Sequence, residues 1–88
     1  MAQRKTSAAR TADYDEENDV LYVQFSVAKV ARTRPFGDLR LVDYDAQDRA
    51  VGIEFIAASE GLDVSDLPLG DQIEALLIEN GLHFNVFA

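Results

Sequence analysis

Val20-Leu21-Tyr22-Val23-Gln24-Phe25 is the first of four segments between residues 13 and 59 whose side chains alternate in polarity, and these segments decide the fold. Within this segment Leu21, Val23 and Phe25 lie on one side of an extended chain and should face a core. The other three segments are Lys29–Arg34, Leu39–Tyr44 and Ala50–Ala57. Short polar or acidic stretches separate them, as is typical of strands joined by turns. The pattern predicts antiparallel strands in a meander, with the basic segment Lys29–Arg34 at a sheet edge.

The C-terminal part of the chain predicts one helix and one further strand. Apolar residues recur at helical spacing at Ile73, Leu76 and Leu77. Asp71 suits the N-cap, and Gly81 suits the left-handed residue that ends many helices. Leu82–Phe87 alternates again and is the candidate fifth strand. The predicted fold is α+β: an antiparallel β-meander of four to five strands with one C-terminal helix packed on a sheet face.

Length and charge indicate one small acidic domain. The chain has 88 residues, and residues 1–12 carry Arg4, Lys5 and Arg10 without any acid. We therefore expect a disordered basic tail over residues 1–12 and a single α+β domain over residues 13–88. The net charge is −8, so the +3 of the tail leaves −11 on the domain. This negative field disfavours nucleic acid as a partner and favours a basic protein.

Composition also excludes several kinds of chemistry. The chain has no cysteine, which rules out disulfides, thiolate zinc sites and cysteine nucleophiles. No run approaches the roughly 18 apolar residues of a membrane span, and the N-terminus lacks the apolar region of a secretory signal. We expect a cytoplasmic protein that does not enter a membrane.

The strands and turns contain an ordered series of short motifs, namely Tyr14-Asp15, Asp19-Val20-Leu21-Tyr22, Val30-Ala31-Arg32-Thr33, Val42-Asp43-Tyr44-Asp45, Val51-Gly52-Ile53-Glu54 and Ser59. This series resembles the pattern of the DUF2283 family of small prokaryotic proteins of unknown function. The motifs span residues 14–59, about half of the chain, and their order and spacing are more specific than any single piece. The chain has Asp48-Arg49 where the family usually reads Asp-Gly, which leaves the turn type open. The resemblance implies an antiparallel β-meander and brings no activity or catalytic residues.

The hairpin after the third segment has the acidic spacing of a calcium-binding loop. Positions one, three, five and twelve of that loop are taken by Asp43, Asp45, Gln47 and Glu54. Asp48 stands at position six, where the loop needs glycine, and the flanks read as strands rather than helices. The hairpin is therefore the preferred interpretation, with a divalent cation as the alternative. Asp43, Glu54 and Ser59 form the candidate polar site.

Arginines and aromatic residues supply the candidate partner-binding surface. Arg32, Arg34 and Arg40 are expected to pair with Asp43, Glu54 or the acidic turn before residue 20, rather than to bind a phosphate. The second sheet face is expected to carry four apolar or aromatic side chains, namely Tyr22, Val42, Tyr44 and Ile56. That face would be half-exposed or form a homodimer contact. The predicted partner-binding residues are Tyr22, Tyr44, Arg32 and Arg34.

The missing catalytic sets favour a protein that is not an enzyme. The sequence has no phosphate-binding loop and no catalytic triad, and His83 is its only histidine. We predict a non-enzymatic interaction module that binds a basic protein, with an antitoxin-like role as one version. The alternative is a small-ligand or divalent-cation-binding domain that uses Asp43, Asp45 and Glu54. A hydrolase with Glu54 as acid–base group is the third hypothesis. No cofactor is predicted.

Overall fold

The computed structural model describes residues 10–88. Its strands are β1 (Thr11–Asp15), β2 (Val20–Gln24), β3 (Arg32–Pro35), β4 (Arg40–Tyr44), β5 (Ala50–Ile56), β6 (Leu62–Asp63) and β7 (Val86–Phe87). Its helix α1 spans Ile73–Glu79, and two 3-10 turns span Ala58–Glu60 and Gly70–Gln72. This arrangement confirms the α+β class.

Five strands form one antiparallel sheet in the order β1-β2-β5-β4-β3. β1 and β2 form a hairpin, and β3, β4 and β5 form a three-stranded meander. The two units join where β2 pairs with β5, with Val23 opposite Ile53. β5 is therefore central, and the loop of residues 25–31 carries the chain from β2 to the far edge. β3 lies at that edge, as its basic composition predicts.

The fifth strand of the sheet is β1 rather than the C-terminal segment. β1 begins at Thr11, two residues inside the predicted tail, and pairs with β2 over its whole length. Residues 1–9, the rest of that tail, lie outside the residues that the structure describes. Val86–Phe87 does form a strand, but it pairs in parallel with β6 in a separate two-stranded sheet. The alternation of Leu82–Phe87 therefore predicted a strand but not its partner.

The core lies between one face of the large sheet and α1. Its fully buried side chains come from the sheet at Leu21, Val23, Val42, Ile53 and Phe55, from the connector at Ala58 and Leu62, and from the helix at Ile73, Leu76 and Leu77. Phe25 is half-buried against this cluster. The alternation of polarity along β2 thus predicted which of its side chains face the core. Of the strands, β1 and β2 lie nearest to α1.

The sequence predicts the C-terminal cap of α1 correctly but not its N-terminal cap. Asp71 does not cap the helix, because it lies within the 3-10 turn that precedes α1. Gln72 takes the N-cap position instead, and no side chain forms a capping hydrogen bond there. At the other end Gly81 has a φ of 73°. The Leu82 N–H donates to the carbonyl of Leu77, and the Gly81 N–H donates to that of Ile78. This pair of bonds is a Schellman motif, which confirms the predicted C-terminal end.

No helix within residues 10–88 combines the length and hydropathy needed to cross a membrane.

Candidate functional site

The sheet face opposite α1, called the outer face below, carries the candidate polar site. Alternation and register place on it Asp13 and Asp15 of β1, Val20, Tyr22 and Gln24 of β2, Thr33 and Pro35 of β3, Leu41 and Asp43 of β4, and Gly52, Glu54 and Ile56 of β5. Val42 is not among them, since it pairs with Ile53 and is fully buried. The expectation that Val42 shares a face with Tyr22 and Ile56 is therefore wrong.

A line of polar contacts crosses four strands of the outer face. The Tyr22 ring extends from β2 over Gly52 of β5, and its hydroxyl donates to Asp43 Oδ2 of β4 at 2.9 Å. Thr33 of β3 donates to the other oxygen, Oδ1, at 2.5 Å. A β-carbon on Gly52 would lie only 2.5 Å from Tyr22 Cζ and 2.8 Å from the carbonyl oxygen of Val23. Glycine is thus required at position 52 because the tyrosine occupies the space of a side chain.

The environment of Tyr22 keeps its hydroxyl protonated. Burial raises the pKa of Tyr22 well above its ordinary value of 10.0, and the hydrogen bond to the Asp43 carboxylate and the charge of Glu54 raise it further. Each of these causes disfavours a phenolate in this position. Tyr22 therefore acts as a hydrogen-bond donor that holds Asp43 rather than as a base.

Glu54 lies beside this line, half-buried on the central strand between Tyr22 and Leu41. Within residues 10–88 its carboxylate accepts no hydrogen bond, and it lines none of the three main hollows. A general acid–base residue needs a pocket that holds its substrate. The arrangement around Glu54 is instead that of an acid on an open sheet surface.

Ser59 does not lie with Asp43 and Glu54. It contacts Asp19 at the β1–β2 turn instead. Asp19 accepts hydrogen bonds from the Ser59 backbone N–H at 2.8 Å and from the Ser59 hydroxyl at 2.6 Å. The Tyr14 hydroxyl donates to Asp19 Oδ1 at 2.7 Å. The hydroxyls of Ser59 and Tyr14 lower the pKa of Asp19 below its ordinary value of 3.8. This cluster ties the β1–β2 turn to the end of β5, so the role of Ser59 here is structural.

The side chain of Asp45 forms its hydrogen bonds within the hairpin between β4 and β5. Its side chain is buried, with Oδ1 accepting the backbone N–H groups of Gln47 and Arg49 and Oδ2 accepting Arg49 Nε at 3.0 Å. These bonds lower the pKa of Asp45, the backbone bond from Arg49 most strongly. Asp48 has a φ of 63°, a left-handed conformation that aspartate tolerates, and its N–H donates to the Asp45 carbonyl across the turn at 3.0 Å. Across residues 10–88 no three His, Cys, Asp or Glu side chains are grouped to hold a metal ion.

Two of the three strand arginines pair with acids, but not with the acids expected, and Arg34 forms no ion pair within residues 10–88. Arg32 forms an ion pair with Asp48 at 2.8 Å, and Arg40 pairs with Asp66. Asp43 is instead held by hydroxyl groups, because Arg32, Arg34 and Arg40 all lie on the face opposite the outer face. Their strand partners there are Tyr44, Val42 and Phe55 respectively. The same register separates the predicted partner-binding residues, with Tyr22 on the outer face and Tyr44, Arg32 and Arg34 on the other.

The alternation of side chains along the strands leaves only negative charges on the outer face. Four acids lie on it, Asp13, Asp15, Asp43 and Glu54, whereas every cation within β1 to β5 lies on the opposite face. Apolar side chains accompany the acids: Val20 and Leu41 are half-buried, and Ile56 is 36% exposed. The sequence contained the signal for this segregation in the odd and even positions of its strands. Finding it required the register between strands.

Comparison with known proteins adds a family and nothing further. The family model described as "Protein of unknown function (DUF2283)" matches residues 12–59, more than half of the chain. Neither a curated protein nor a solved structure matches the chain. The matched range contains β2 to β5 and all of β1 except Thr11. The residues of the two polar clusters, Asp19 and Ser59 in one and Tyr22, Gly52 and Asp43 in the other, also lie inside it.

Proposed function

Because the chain belongs to the DUF2283 family, whose function is unknown, we propose from its geometry that it is a non-enzymatic protein-interaction module that binds a basic protein through the outer face. The observation that carries this proposal is the composition of that face, four acids interspersed with the apolar side chains Val20, Leu41 and Ile56 and with no strand cation among them. Interfaces need apolar area for affinity, and complementary charge speeds the encounter and orients the partner. A basic surface that also carries apolar side chains would match this face in both respects.

The polar residues of the two clusters support an interaction role more than a catalytic one. Asp19 and Asp43 are occupied by hydroxyl donors, and Asp45 is occupied by its own hairpin. The hydrogen bonds hold the sheet surface rigid, and a rigid surface loses little entropy when a partner binds. A basic partner masked in this way is the antitoxin-like version of the proposal.

A second copy of the chain is a weaker candidate for the same surface. Two outer faces brought together would place four acids of one copy against four of the other, and like charges across an interface oppose association. We expect a monomer in sedimentation velocity at physiological salt. A dimer that Glu54→Lys dissociates would assign the outer face to self-association and overturn the proposal of a basic partner.

Affinity capture with charge-reversed variants tests the proposal. The wild-type chain, Glu54→Lys on the outer face and Glu74→Lys on the exposed side of α1 are immobilised and exposed to a native lysate. We expect one basic protein to bind the wild type and Glu74→Lys, to be lost from Glu54→Lys and to elute as salt rises. Equal retention by Glu54→Lys, or no protein retained by the wild type, would contradict the proposal.

The alternative, a small-ligand or cation-binding domain that uses Asp43, Asp45 and Glu54, has one supporting feature. Asp43 and Glu54 are diagonal neighbours on the outer face, since their partners across the ladder are Gly52 and Leu41. Asp45 is held by Arg49 and does not extend this pair. Calorimetry with calcium, magnesium and manganese separates the hypotheses, because binding heat that Asp43→Asn abolishes would favour the cation site.

A further inference from the structure

A hollow of about 390 Å³ opens at the end of the sheet, where β4 begins and β5 ends. It is called the end hollow below. Aromatic and aliphatic side chains form its walls, namely Phe36, Leu39, Phe55, Ile56 and Phe87. Leu39 is 49% exposed and Ile56 is 36% exposed, so the apolar wall continues to the molecular surface. Ile56 also lies on the outer face, which makes the end hollow continuous with that face.

Three acids among the described residues line the end hollow, Asp38, Glu60 and Asp63. The carboxylate of Asp63 accepts hydrogen bonds from within its own loop, whereas Asp38 and Glu60 are exposed and no cation within residues 10–88 forms an ion pair with either of them. In the part of the chain that the structure describes, the lining cation is Arg40, and it forms an ion pair with Asp66. The guanidinium of Arg40 also donates to two backbone carbonyls, those of Phe36 and Asp63. The charge left for a ligand is therefore negative.

We propose that the end hollow receives an arginine side chain of the basic partner, as an anchor beside the outer face. A planar guanidinium stacks on aromatic rings such as Phe36 and Phe87, and its aliphatic stem packs on Leu39. Its fork of donors pairs with carboxylates, which Asp38 and Glu60 provide. This inference rests on the proposed function for the identity of the partner, but the site itself is testable without the partner.

Titration with a small probe tests the end hollow directly. ¹⁵N-labelled full-length chain is titrated with N-acetyl-arginine-N-methylamide, and with the norleucine analogue as an uncharged probe of similar length. We expect saturable amide shifts for the arginine probe around Leu39, Ile56 and Gly61, with weaker or no binding of the norleucine probe. Equal binding of both probes, or shifts spread over all acidic surfaces, would overturn the inference.

Two double variants with the same charge change sharpen the test. Asp38→Asn/Glu60→Gln removes the two acids of the end hollow, and Glu17→Gln/Asp71→Asn removes two exposed acids elsewhere. The first should weaken binding of the arginine probe roughly two- to thirtyfold, the range for two exposed ion pairs, while the second leaves it unchanged. Equal weakening by both would show a nonspecific charge effect and refute the site. If the probe fails while Glu54→Lys still abolishes capture, the end hollow is wrong and the proposed function stands.

Discussion

Replacing Gly52 by alanine tests the packing of Tyr22 across the sheet. The backbone of Gly52 does not have a positive φ, so alanine would ordinarily stabilise this position by about 0.4–1 kcal/mol through the unfolded chain. The new β-carbon would instead lie 2.5 Å from Tyr22 Cζ and 2.8 Å from the Val23 carbonyl oxygen. Overpacking costs about 1–3 kcal/mol, and losing the hydrogen bond to Asp43 costs about 1–2 kcal/mol more. The two costs sum to about 2–5 kcal/mol and the gain of about 0.4–1 kcal/mol offsets part of them, so we expect Gly52→Ala to lower the free energy of unfolding by about 1–5 kcal/mol.

Urea unfolding followed by circular dichroism measures this change, and the melting temperature should fall by about 4–8 °C for each kcal/mol lost. The control is a double-mutant cycle with Tyr22→Ala, which removes the ring that the new methyl group meets. Gly52→Ala should cost at least about 1 kcal/mol less in the Tyr22→Ala background than in the wild type. A stabilising Gly52→Ala, or an equal cost in both backgrounds, would refute the argument that the tyrosine requires this glycine.

Three further substitutions test other parts of the structure. Asp19→Asn removes a carboxyl whose pKa is lowered by Ser59, so the variant should be less stable near pH 7 and lose less stability as pH falls below 3.8; parallel acid-unfolding curves would contradict this. The raised pKa of Tyr22 means that the folded state keeps the proton and loses stability above pH 10.0, so Tyr22→Phe should flatten the alkaline limb in urea titrations, and an unchanged limb would count against it. Phe55→Ala should cost about 3–5 kcal/mol, against less than about 0.5 for exposed Ile78→Ala, and similar costs in thermal unfolding would show that Phe55 is not central to the core.

The fold was largely predictable because strand periodicity is local. The alternation of Val20–Phe25 predicted β2 and the side it buries, and the same rule found β4 and β5. The order of the strands was not predictable, because the pairing of β2 with β5 depends on contacts between residues about 30 positions apart. β1 was missed because Thr11–Asp15 is short and acidic, and only its pairing with β2 makes it a strand.

The roles of the acidic residues depended on partners distant in sequence. Asp43 meets Tyr22 from 21 positions away, and Asp19 meets Ser59 from 40 positions away. Neither pair has a spacing that a sequence motif encodes. One local signal did exist, since a glycine inside a strand often marks the close approach of another group. Gly52 had that signal, and the group is the ring of Tyr22.

The acidic spacing of a calcium-binding loop does not produce a calcium site when the backbone forms a β-hairpin. In a calcium loop the carboxylates converge because the backbone wraps around the ion. In this hairpin Asp43 points to the outer face while Asp45 turns back onto the N–H groups of Gln47 and Arg49. The same spacing therefore separates the carboxylates instead of gathering them.

If the outer face binds a basic protein, the bound protein must perturb the methyl groups on that face, and methyl NMR of the complex detects this. The labelled chain is titrated with the basic protein recovered by capture, and the methyl groups of Leu41, Ile56 and Ile78 are followed. We expect large shifts or broadening at Leu41 and Ile56 on the outer face, with Ile78 on the exposed side of α1 unchanged. Shifts at Ile78 with the signals of Leu41 and Ile56 unchanged would show that the partner binds elsewhere.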